Sequence, residues 1–431
     1  MKRIVFIIFI LSQITVFSQN NVLQIFDNYK YSPIDWSDIK EIRYNDIQND
    51  LIIIREDYNS TIISLSDSII FQSGKTIPLI EIFTDEYLEE INSKTEYKKG
   101  HLRLNGFGEY LDEETDIEIR GRGNSSWTFE KKPYRLKFSK KISLCGLPPA
   151  KNFVLLANYM DCSLLQNVLA FKIGKILNLP YTNNAVPVDI NFNGIYKGSY
   201  LLTNKPGINA GSVEIDENNS VMWELDTNYD ESLKFMSPRL NLPVMVSDPD
   251  INDEEFEYWK NDFIEMERAV CQNKASNYID MEIAAKYLLV YEIMKNDEIG
   301  FPKSVKLFKT KGNKYIFGPI WDFDVAMGKI WLGECYTTEK INNKVWKNAL
   351  FGYLENDSTF QETLKENLML IKYQLPELLT FIDDYSSKIR PSAIRNQKLY
   401  SDYEDFDQSI EKLKEWLILR FESLSSLYLN Y

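Results

Sequence analysis

The stretch DIEIRGRGNSSWTFEKKPYRLKF, residues 116–138, places a glycine-rich loop between two segments in which apolar and polar residues alternate. Alternation with a period of two predicts a β-strand with one buried face, here over residues 116–120 and 133–138. In the second strand Arg135 and Lys137 share the face opposite to the apolar side chains. Such a strand can present a cation to a ligand, although a plain amphipathic strand gives the same pattern.

The loop between these strands contains Arg122, Gly123, Asn124 and Ser125. Glycine lets the backbone approach a ligand closely, and consecutive N–H groups can form a concave site for an anion. The arginines add positive charge to an otherwise acidic chain. A tight hairpin turn with solvated arginines explains the same residues, so the loop taken alone leaves both interpretations open.

A second polar motif, WDFD at residues 321–324, follows a predicted β-hairpin at residues 305–320. Residues i and i+2 of an extended segment share a face, so Asp322 and Asp324 can bind one hard cation such as Mg²⁺ or Mn²⁺. Two carboxylates among apolar neighbours repel each other unless a cation lies between them. The motif therefore predicts a metal site.

Asp297 lies at the end of a helix predicted for residues 281–295, and Ser304 follows at the start of the hairpin. The helix dipole disfavours a carboxylate at a helix C-terminus, so Asp297 is either a solvated loop residue or held for a function. Phosphoryl transfer from a metal–nucleotide needs a loop over the phosphates, a cation, an oriented base and metal-binding carboxylates. The chain contains all four, and this chemistry needs neither histidine nor cysteine.

The order of these segments predicts an α+β fold with a β-rich half followed by a helical half. We predict a small β-rich module at residues 19–75, a β-rich domain at 76–206 and a helical domain at 256–431 that carries the metal-site hairpin. Residues 207–255 are polar and rich in Gly, Asn and Asp, which predicts an irregular connector. One helix is predicted inside the β-rich domain, at residues 161–177.

The composition excludes several classes of function. The chain has 431 residues, a formal net charge of −14 and a single histidine, His101. A histidine-rich zinc site cannot be built, and the acidic balance argues against nucleic-acid binding, which needs a basic face. The four cysteines are widely spaced, so one or two disulfides and buried free thiols are both compatible with the sequence. They are Cys145, Cys162, Cys271 and Cys335.

Residues 1–18 predict a secretory signal peptide. Lys2 and Arg3 precede an apolar run at residues 4–11, which is too short to span a membrane stably. No cysteine follows directly after the predicted cleavage site, which disfavours a lipoprotein anchor, and no later apolar stretch reaches membrane length. We expect the mature chain to be secreted, periplasmic or on the cell surface, without a membrane span.

Several blocks of the sequence resemble the CotH-type (spore-coat protein H) kinase family, in the order that the family has them. They are IRGRGNSSW, KKPYRLKF, LLANYMDCSLLQN, VPVDINFNGIYKGSYLLTNK, NDEIGFPKSVKLFK and YIFGPIWDFDVAMG. The resemblance spans residues 78–330, and residues 20–75 lie outside it. It implies a divergent protein-kinase-like fold with two lobes, a β-rich N-lobe followed by a helical C-lobe.

The resemblance also implies roles for individual residues. Lys137 is similar to the lysine that contacts the phosphates, and Asp297 to the aspartate that accepts the proton of the substrate hydroxyl. Asp322 resembles the metal-binding aspartate, with Asp324 as a second ligand or an orienting residue. The residues expected near the nucleotide are Arg122, Gly123, Asn124, Ser125, Lys137 and Ser304. The helix at residues 161–177 takes the place of the regulatory helix of kinases, with Asp161 or Asn167 facing the site.

Two positions depart from the family pattern. Members often have Glu at the position of Asn204 and Asn at the position of Ser304. The first departure removes a charge near the nucleotide cleft. The second replaces an amide metal ligand by a hydroxyl, which can bind Mg²⁺ but orients it less well.

The leading functional hypothesis is a secreted CotH-like protein kinase that uses ATP and Mg²⁺ or Mn²⁺ to phosphorylate Ser or Thr of an exported protein. The alternative is a non-catalytic surface or secreted binding module that keeps the fold. A third hypothesis treats Asp322 and Asp324 as the D-x-D motif of a glycosyltransferase. It is disfavoured because such enzymes need alternating βαβ units ahead of the motif.

Overall fold

A computed structural model describes residues 22–27, 30–35, 38–45, 50–57, 59–64, 70–74, 76–88, 90–331, 333–400 and 405–429. The predicted signal peptide lies outside these ranges. In the part of the chain that the structure describes, no helix combines the length and apolar character that crossing a membrane requires.

Short strands in the first quarter of the described chain form two three-stranded antiparallel sheets, ordered β2-β1-β6 and β3-β4-β5. The strands are β1 Val22–Asp27, β2 Lys30–Asp35, β3 Ile39–Asn45, β4 Asp50–Arg55, β5 Ser60–Ser64 and β6 Ile70–Gly74. Five aliphatic side chains form their common core. They are Leu23, Ile25, Ile34, Leu51 and Ile53.

The next seven strands close into a barrel of order β10-β11-β13-β12-β7-β8-β9. They are β7 Leu79–Thr84, β8 Lys98–Asn105, β9 Glu113–Gly121, β10 Tyr134–Ile142, β11 Ala150–Leu156, β12 Ala185–Phe192 and β13 Ile195–Asn204. Alternating side chains of each strand fill the barrel, as in β10, where Tyr134, Leu136 and Phe138 are buried. All pairs in the barrel are antiparallel except β7 with β12.

One helix, α1 Gln166–Ile176, lies between β11 and β12. The sequence predicted its start near Asp161, and this prediction is wrong by five residues. Residues 158–165 form turns, and Leu164 has a positive φ of 61°. The Asp161 carboxylate caps the helix from a distance, because it accepts a 2.7 Å hydrogen bond from the backbone N–H of Gln166.

A five-stranded sheet of order β15-β16-β14-β17-β18 follows the barrel. Its strands are β14 Ser220–Leu225, β15 Lys234–Met236, β16 Pro243–Asp248, β17 Val305–Thr310 and β18 Ile316–Phe317. The prediction of an irregular connector at residues 207–255 is therefore wrong. Strand β14 is buried on both faces, so it shows a short apolar run instead of alternation, and its partner β17 lies about eighty residues away in the chain.

The rest of the described chain is mainly helical. The helices are α2 Asp253–Cys271, α3 Met281–Met294, α4 Ala349–Leu354, α5 Ser358–Tyr373, α6 Leu375–Leu399 and α7 Phe406–Leu429. Helix α2 starts with a capping box formed by Asn252 and Glu255. Helix α3 is apolar almost all round because it packs against α1, α5 and α7. The predicted α+β class is confirmed, and the β-rich half is a closed barrel.

A disulfide joins Cys162, just before α1, to Cys335 in the irregular segment that follows β18. The sequence left open whether the cysteines pair. Of the other two, Cys145 is buried and Cys271 is partly exposed, and both are free thiols.

Candidate functional site

A cleft of about 460 Å³ is lined by residues from both the barrel and the five-stranded sheet. Its charged lining consists of seven basic and seven acidic side chains. The basic ones are Lys94, Arg120, Arg122, Arg135, Lys205, Lys303 and Lys306, and the acidic ones are Glu224, Asp226, Asp230, Glu231, Glu298, Asp322 and Asp324. Five of the basic residues precede position 206 in the chain, and we call this group the basic wall. All the acidic residues follow position 206, and we call this group, which also contains Lys303 and Lys306, the acidic wall.

Two arginines on neighbouring barrel strands dominate the basic wall. Arg135 on β10 lies directly opposite Arg120 on β9. The Nε atoms of both are buried and lack a hydrogen-bond partner among the described residues. Burial lowers the pKa of Arg135, and the charge of Arg120 lowers it further. Arg135 also donates from its guanidinium to the Oδ1 of Asn152 at 3.0 Å. Like charges directly opposite each other destabilise a sheet, and an anion bound between them would relieve this repulsion.

Lys137 lies two residues further along β10 on the same face, but it does not line the cleft. Its ammonium forms a 2.8 Å ion pair with Glu118, the residue directly opposite on β9. The side chain is 45% exposed. The structure therefore places the predicted phosphate-contacting lysine beside the cleft, with its charge already neutralised.

The glycine-rich loop lies at the cleft as predicted, and Arg122, Gly123, Asn124 and Ser125 all line it. Gly123 has a φ of +83°, and a Cβ there would lie 2.1 Å from the hydroxyl of Ser126, so this turn requires glycine. A residue that the sequence did not single out also holds the loop in place.

That residue is Lys94, whose Nζ donates to the carbonyl of Gly123 at 2.9 Å and to the Oδ1 of Asn124 at 3.0 Å. Lys94 precedes the glycine-rich loop by about thirty residues and belongs to the irregular segment between β7 and β8. The loop conformation is therefore fixed by a distant part of the chain.

Arg122 of the glycine-rich loop contacts the WDFD motif at residues 321–324. Its guanidinium lies 5.5 Å from the ring centroid of Trp321, a favourable cation–π distance. Burial lowers the pKa of Arg122, while the carboxylates of Asp322 and Asp324 act in the opposite direction. Charges of both signs thus meet at this end of the cleft.

Asp322 and Asp324 are brought together, and the positive φ of 67° at Asp322 turns the backbone between them and the preceding strand. Burial raises the pKa of Asp324 well above its usual range, and the neighbouring carboxylates of Asp322 and Glu298 raise it further. Ser304 donates a long hydrogen bond of 3.4 Å from its hydroxyl to Asp322. The three carboxylates repel one another, and a bound cation would remove this repulsion.

The described residues contain no group of three or more His, Cys, Asp or Glu side chains arranged to hold a metal ion. Mg²⁺ is commonly held by one or two carboxylates, with waters and substrate phosphates completing its octahedral shell. Asp322, Asp324 and the hydroxyl of Ser304 supply oxygen donors of this kind.

Two side chains at the start of α1 hold the acidic motif in place. The Oδ1 of Asn167 accepts a 2.9 Å hydrogen bond from the backbone N–H of Phe323, and the Oε1 of Gln166 accepts one of 3.1 Å from Ala326. Asn167 therefore contacts the backbone of the motif and does not line the cleft. Asp161 is buried among the turns before α1 and does not line it either.

The predicted catalytic residue Asp297 does not line the cleft. Its carboxylate lies 2.6 Å from the buried ammonium of Lys295 and accepts a 2.8 Å hydrogen bond from the backbone N–H of Trp346. The next residue, Glu298, lines the cleft instead. Burial raises the pKa of Glu298, and the charge of Asp322 raises it further.

The acidic wall also contains residues that sequence reasoning missed. Glu224 on β14 forms a 2.7 Å ion pair with Lys306, which lies directly opposite on β17. Asp226 accepts a 3.0 Å hydrogen bond from the backbone N–H of Ser304, and burial raises its pKa to about 6. The spacing of two residues between Glu224 and Asp226 could have indicated a second acidic pair like Asp322 and Asp324. Both residues, however, lie in the segment that was predicted to be irregular.

Asn204, one of the two departures from the family pattern, is buried and does not line the cleft. Its amide donates to the carbonyl of Pro148 at 3.1 Å, while Ser304, the other departure, lines the cleft.

The family model described as CotH kinase protein matches residues 119–424. This match covers well over half of the chain, so the chain belongs to the CotH kinase family. The matched range begins within β9, so β7, β8 and Lys94 precede it. A comparison with curated proteins gives no match.

Proposed function

We propose that this member of the CotH kinase family is a secreted, metal-dependent protein kinase that transfers the γ-phosphate of ATP to a Ser or Thr hydroxyl of an exported protein. The observation that carries the proposal is the division of the cleft into a mainly basic wall and an acidic wall that meet at Arg122, Asp322 and Asp324. A polyphosphate with its divalent cation carries both signs of charge and suits such a cleft.

On the basic wall, Arg120 and Arg135 bind phosphate oxygens, because both have Nε groups that lack a partner. Guanidinium groups bind phosphates through several hydrogen bonds in a fixed geometry, which favours a single phosphate position. The loop at residues 123–125 supplies backbone N–H groups near the phosphates, whereas the N–H of Arg122 donates to the carbonyl of Pro133. Lys94 keeps this loop in one conformation.

On the acidic wall, Asp322, Asp324 and the hydroxyl of Ser304 would hold Mg²⁺ or Mn²⁺. When bound, the cation neutralises phosphate charge and orients the phosphates for in-line transfer. Asn167 and Gln166 hold the backbone of the acidic motif, so its carboxylates remain aimed at the cleft.

Glu298 accepts the proton of the substrate hydroxyl in this proposal. The hydroxyl oxygen forms a bond to the γ-phosphorus, the bond from that phosphorus to the bridging oxygen breaks, and ADP leaves. Glu298 lines the cleft, and burial, the largest cause, raises its pKa, which brings a carboxylate closer to the range in which it works best as a general base. Asp297, predicted from the sequence for this role, is directed at Lys295.

Export is supported by the predicted signal peptide and by the disulfide between Cys162 and Cys335, because disulfides persist mainly in oxidising compartments. The phosphoryl acceptor is then another exported protein.

The test is incorporation of labelled phosphate from Mn²⁺-ATP into the protein itself and into casein as a general acceptor. Asp322→Asn and Asp324→Asn should each lower incorporation by at least about 100-fold, since each removes a charged metal ligand. Asp383→Asn is the matched control, because Asp383 pairs with Lys414 far along the helical region and should leave incorporation intact. Equal labelling of all four proteins would contradict the site.

The non-catalytic alternative is favoured by Ser304, which lies 3.4 Å from Asp322 where an amide would orient a metal more strongly. Titration calorimetry distinguishes it, because a pure binding module gives no nucleotide heat that depends on Mn²⁺. The glycosyltransferase hypothesis loses support, since antiparallel strands form most of the described barrel and α1 is its one α-helix. Thermal stabilisation by a nucleotide sugar and not by ATP would restore it.

A further inference from the structure

Two large aromatic side chains are exposed beside the loop that carries Glu298 and Ser304. Phe301 is 57% exposed and Trp346 is 53% exposed. Their rings contact each other and are nearly perpendicular, with an interplanar angle of 84°. Exposed aromatic groups that contact each other often mark a binding surface.

The backbone under this aromatic pair is held rigidly. The N–H of Trp346 donates to Asp297 at 2.8 Å, and the amide of Asn348 donates to the carbonyl of Ile299 at 2.9 Å. A Cβ on Gly300 would lie 2.6 Å from the carbonyl oxygen of Trp346, so glycine is required for this approach. The aromatic pair is therefore fixed in position while its side chains remain exposed.

A rigid aromatic anchor binds a partner at a low cost in conformational entropy. The position of the aromatic pair relative to the cleft indicates what kind of partner it binds. Residue 301 is three positions from Glu298 and from Ser304, both of which line the cleft. Neither ring lines the cleft, but three residues of chain span at most about 11 Å, so an extended segment whose hydroxyl reaches Glu298 is long enough to reach the aromatic pair as well.

The charge around this path disfavours acidic partners. Like the aromatic pair, all seven carboxylates of the cleft follow position 206 in the chain, whereas only two of its cations do, Lys303 and Lys306. The chain as a whole has a net charge of −14. An acidic residue next to the acceptor hydroxyl would be repelled by the acidic wall. A neutral or basic segment with one apolar side chain complements both the charge and the aromatic pair.

We infer that Phe301 and Trp346 are specificity-determining residues for the phosphoacceptor. They bind an aliphatic or aromatic side chain that lies within about four residues of the acceptor Ser or Thr, the reach of a short extended segment. This inference rests on the proposed kinase function.

The test compares peptides that have one central Ser among Gly, Ala and Lys residues. Leu replaces Ala at each position within about four residues of the Ser, and an otherwise identical peptide has Glu there. With Mn²⁺-ATP, we expect kcat/KM for the best Leu peptide to exceed that of the Ala peptide by about tenfold, and the Glu peptides to be the poorest. Phe301→Ala and Trp346→Ala should each bring the Leu and Ala peptides to within about twofold of each other.

Trp346→Phe should restore most of the preference, which a merely structural role would not explain. Tyr373→Ala is the matched control, because Tyr373 is 87% exposed at the end of α5 and should keep the preference. Thermal unfolding shows that each variant is folded. A Leu preference that is missing in the parent, or unchanged in both alanine variants, overturns the inference.

Peptide binding without turnover separates this inference from the proposed function. The same peptides, fluorescently labelled, are titrated with the protein and followed by anisotropy. A Leu preference in binding that depends on Trp346, without any phosphate transfer, supports the surface and contradicts the kinase activity. Transfer without any preference supports the kinase activity and contradicts the surface.

Discussion

Of two neighbouring cross-strand pairs on the outer face of the barrel, one joins opposite charges and the other joins like charges. Lys137 faces Glu118 and forms an ion pair with it, whereas Arg135 faces Arg120 two residues away on the same strands. The first pair neutralises itself and lies outside the cleft. The second pair has no compensating charge across the strands and lies inside the cleft. In the proposed function, the phosphates are therefore bound by the arginines and not by the lysine.

The same contrast recurs on the acidic side between two residues that are adjacent in sequence. Asp297 is paired with Lys295 and with the backbone of Trp346. Glu298 faces other carboxylates, and its pKa is raised as a result of burial and this repulsion. In both comparisons one residue is neutralised by a neighbour and lies outside the cleft, while the other lines the cleft.

The largest expected effect is the difference in kcat between the variants Glu298→Gln and Asp297→Asn. Glu298→Gln should lower kcat for phosphate transfer by about 10²- to 10⁴-fold, the usual contribution of a general base. Asp297→Asn should lower it by less than about tenfold. Steady-state kinetics with Mn²⁺-ATP and casein measure both.

Thermal unfolding supplies the control for this pair. Asp297→Asn should lower the melting temperature, since it weakens the partner of the buried Lys295, whereas Glu298→Gln should not, since it removes repulsion with Asp322. If Asp297→Asn abolishes turnover while the melting temperature is unchanged, the general base is Asp297, as predicted from the sequence, and not Glu298.

An intermediate effect is expected for the barrel pairs. Arg120→Met and Arg135→Met should each raise the Kd for Mn²⁺-ATP by about 10- to 100-fold, because a hydrogen bond to a charged group contributes about 1.5–3 kcal/mol. Each should also stabilise the ATP-free protein, since the like charges are no longer opposed. Calorimetry and thermal unfolding measure the two effects.

Lys137→Met is the matched variant from the same face of the same strand. We expect its Kd to change by less than about threefold, because the Lys137 charge is neutralised by Glu118. A larger loss of affinity in Lys137→Met than in Arg135→Met would restore the lysine predicted from the sequence as the phosphate ligand.

The smallest effect concerns a satisfied charge far from the cleft. His101 lies between Asp116 and Glu114, with its ring nitrogens 3.1 Å and 3.0 Å from their carboxylates, and the hydrogen bond to Asp116 is the main cause that raises its pKa. Because the folded-state pKa is raised, the stabilisation is complete below the ordinary value of about 6.5 and is lost as the pH rises through the folded-state value.

Since His101 is the only histidine in the chain, its proton NMR signal is assigned without further labelling. The titration midpoint should lie above about 6.5 and should fall in Asp116→Asn. A midpoint at or below the ordinary value would show that this exposed group is not paired in solution.

The sequence predicted a large part of the fold. The strands at 116–120 and 133–138 are found in β9 and β10, and the hairpin at 305–320 is found in β17 and β18. These elements were recognisable because each has its own period or turn. Strand β14 was missed because it is short, buried on both faces and stabilised by a partner far along the chain.

The candidate site was predicted in part. The glycine-rich loop and the pair of Asp322 and Asp324 line one cleft, as the order of the motifs suggested. The roles given to Lys137 and Asp297 remain predictions, and the structure places the side chains of their neighbours Arg135 and Glu298 in the cleft. The alternation of the sequence predicts which face of a strand a side chain is on. It does not predict which residues of that face lie opposite the acidic wall, so it could not distinguish these neighbours.

The sequence by itself determined the α+β class, the chemistry without histidine or cysteine, and the two motifs that carry opposite charge. Only the tertiary structure decided which charges of those motifs are already satisfied. The physical reason is that the energy of a charge depends on distance and burial, and both are set by residues remote in the chain. Glu118 and Arg120 on β9 make Lys137 and Arg135 on β10 different, although the two cations occupy equivalent positions in an alternating sequence.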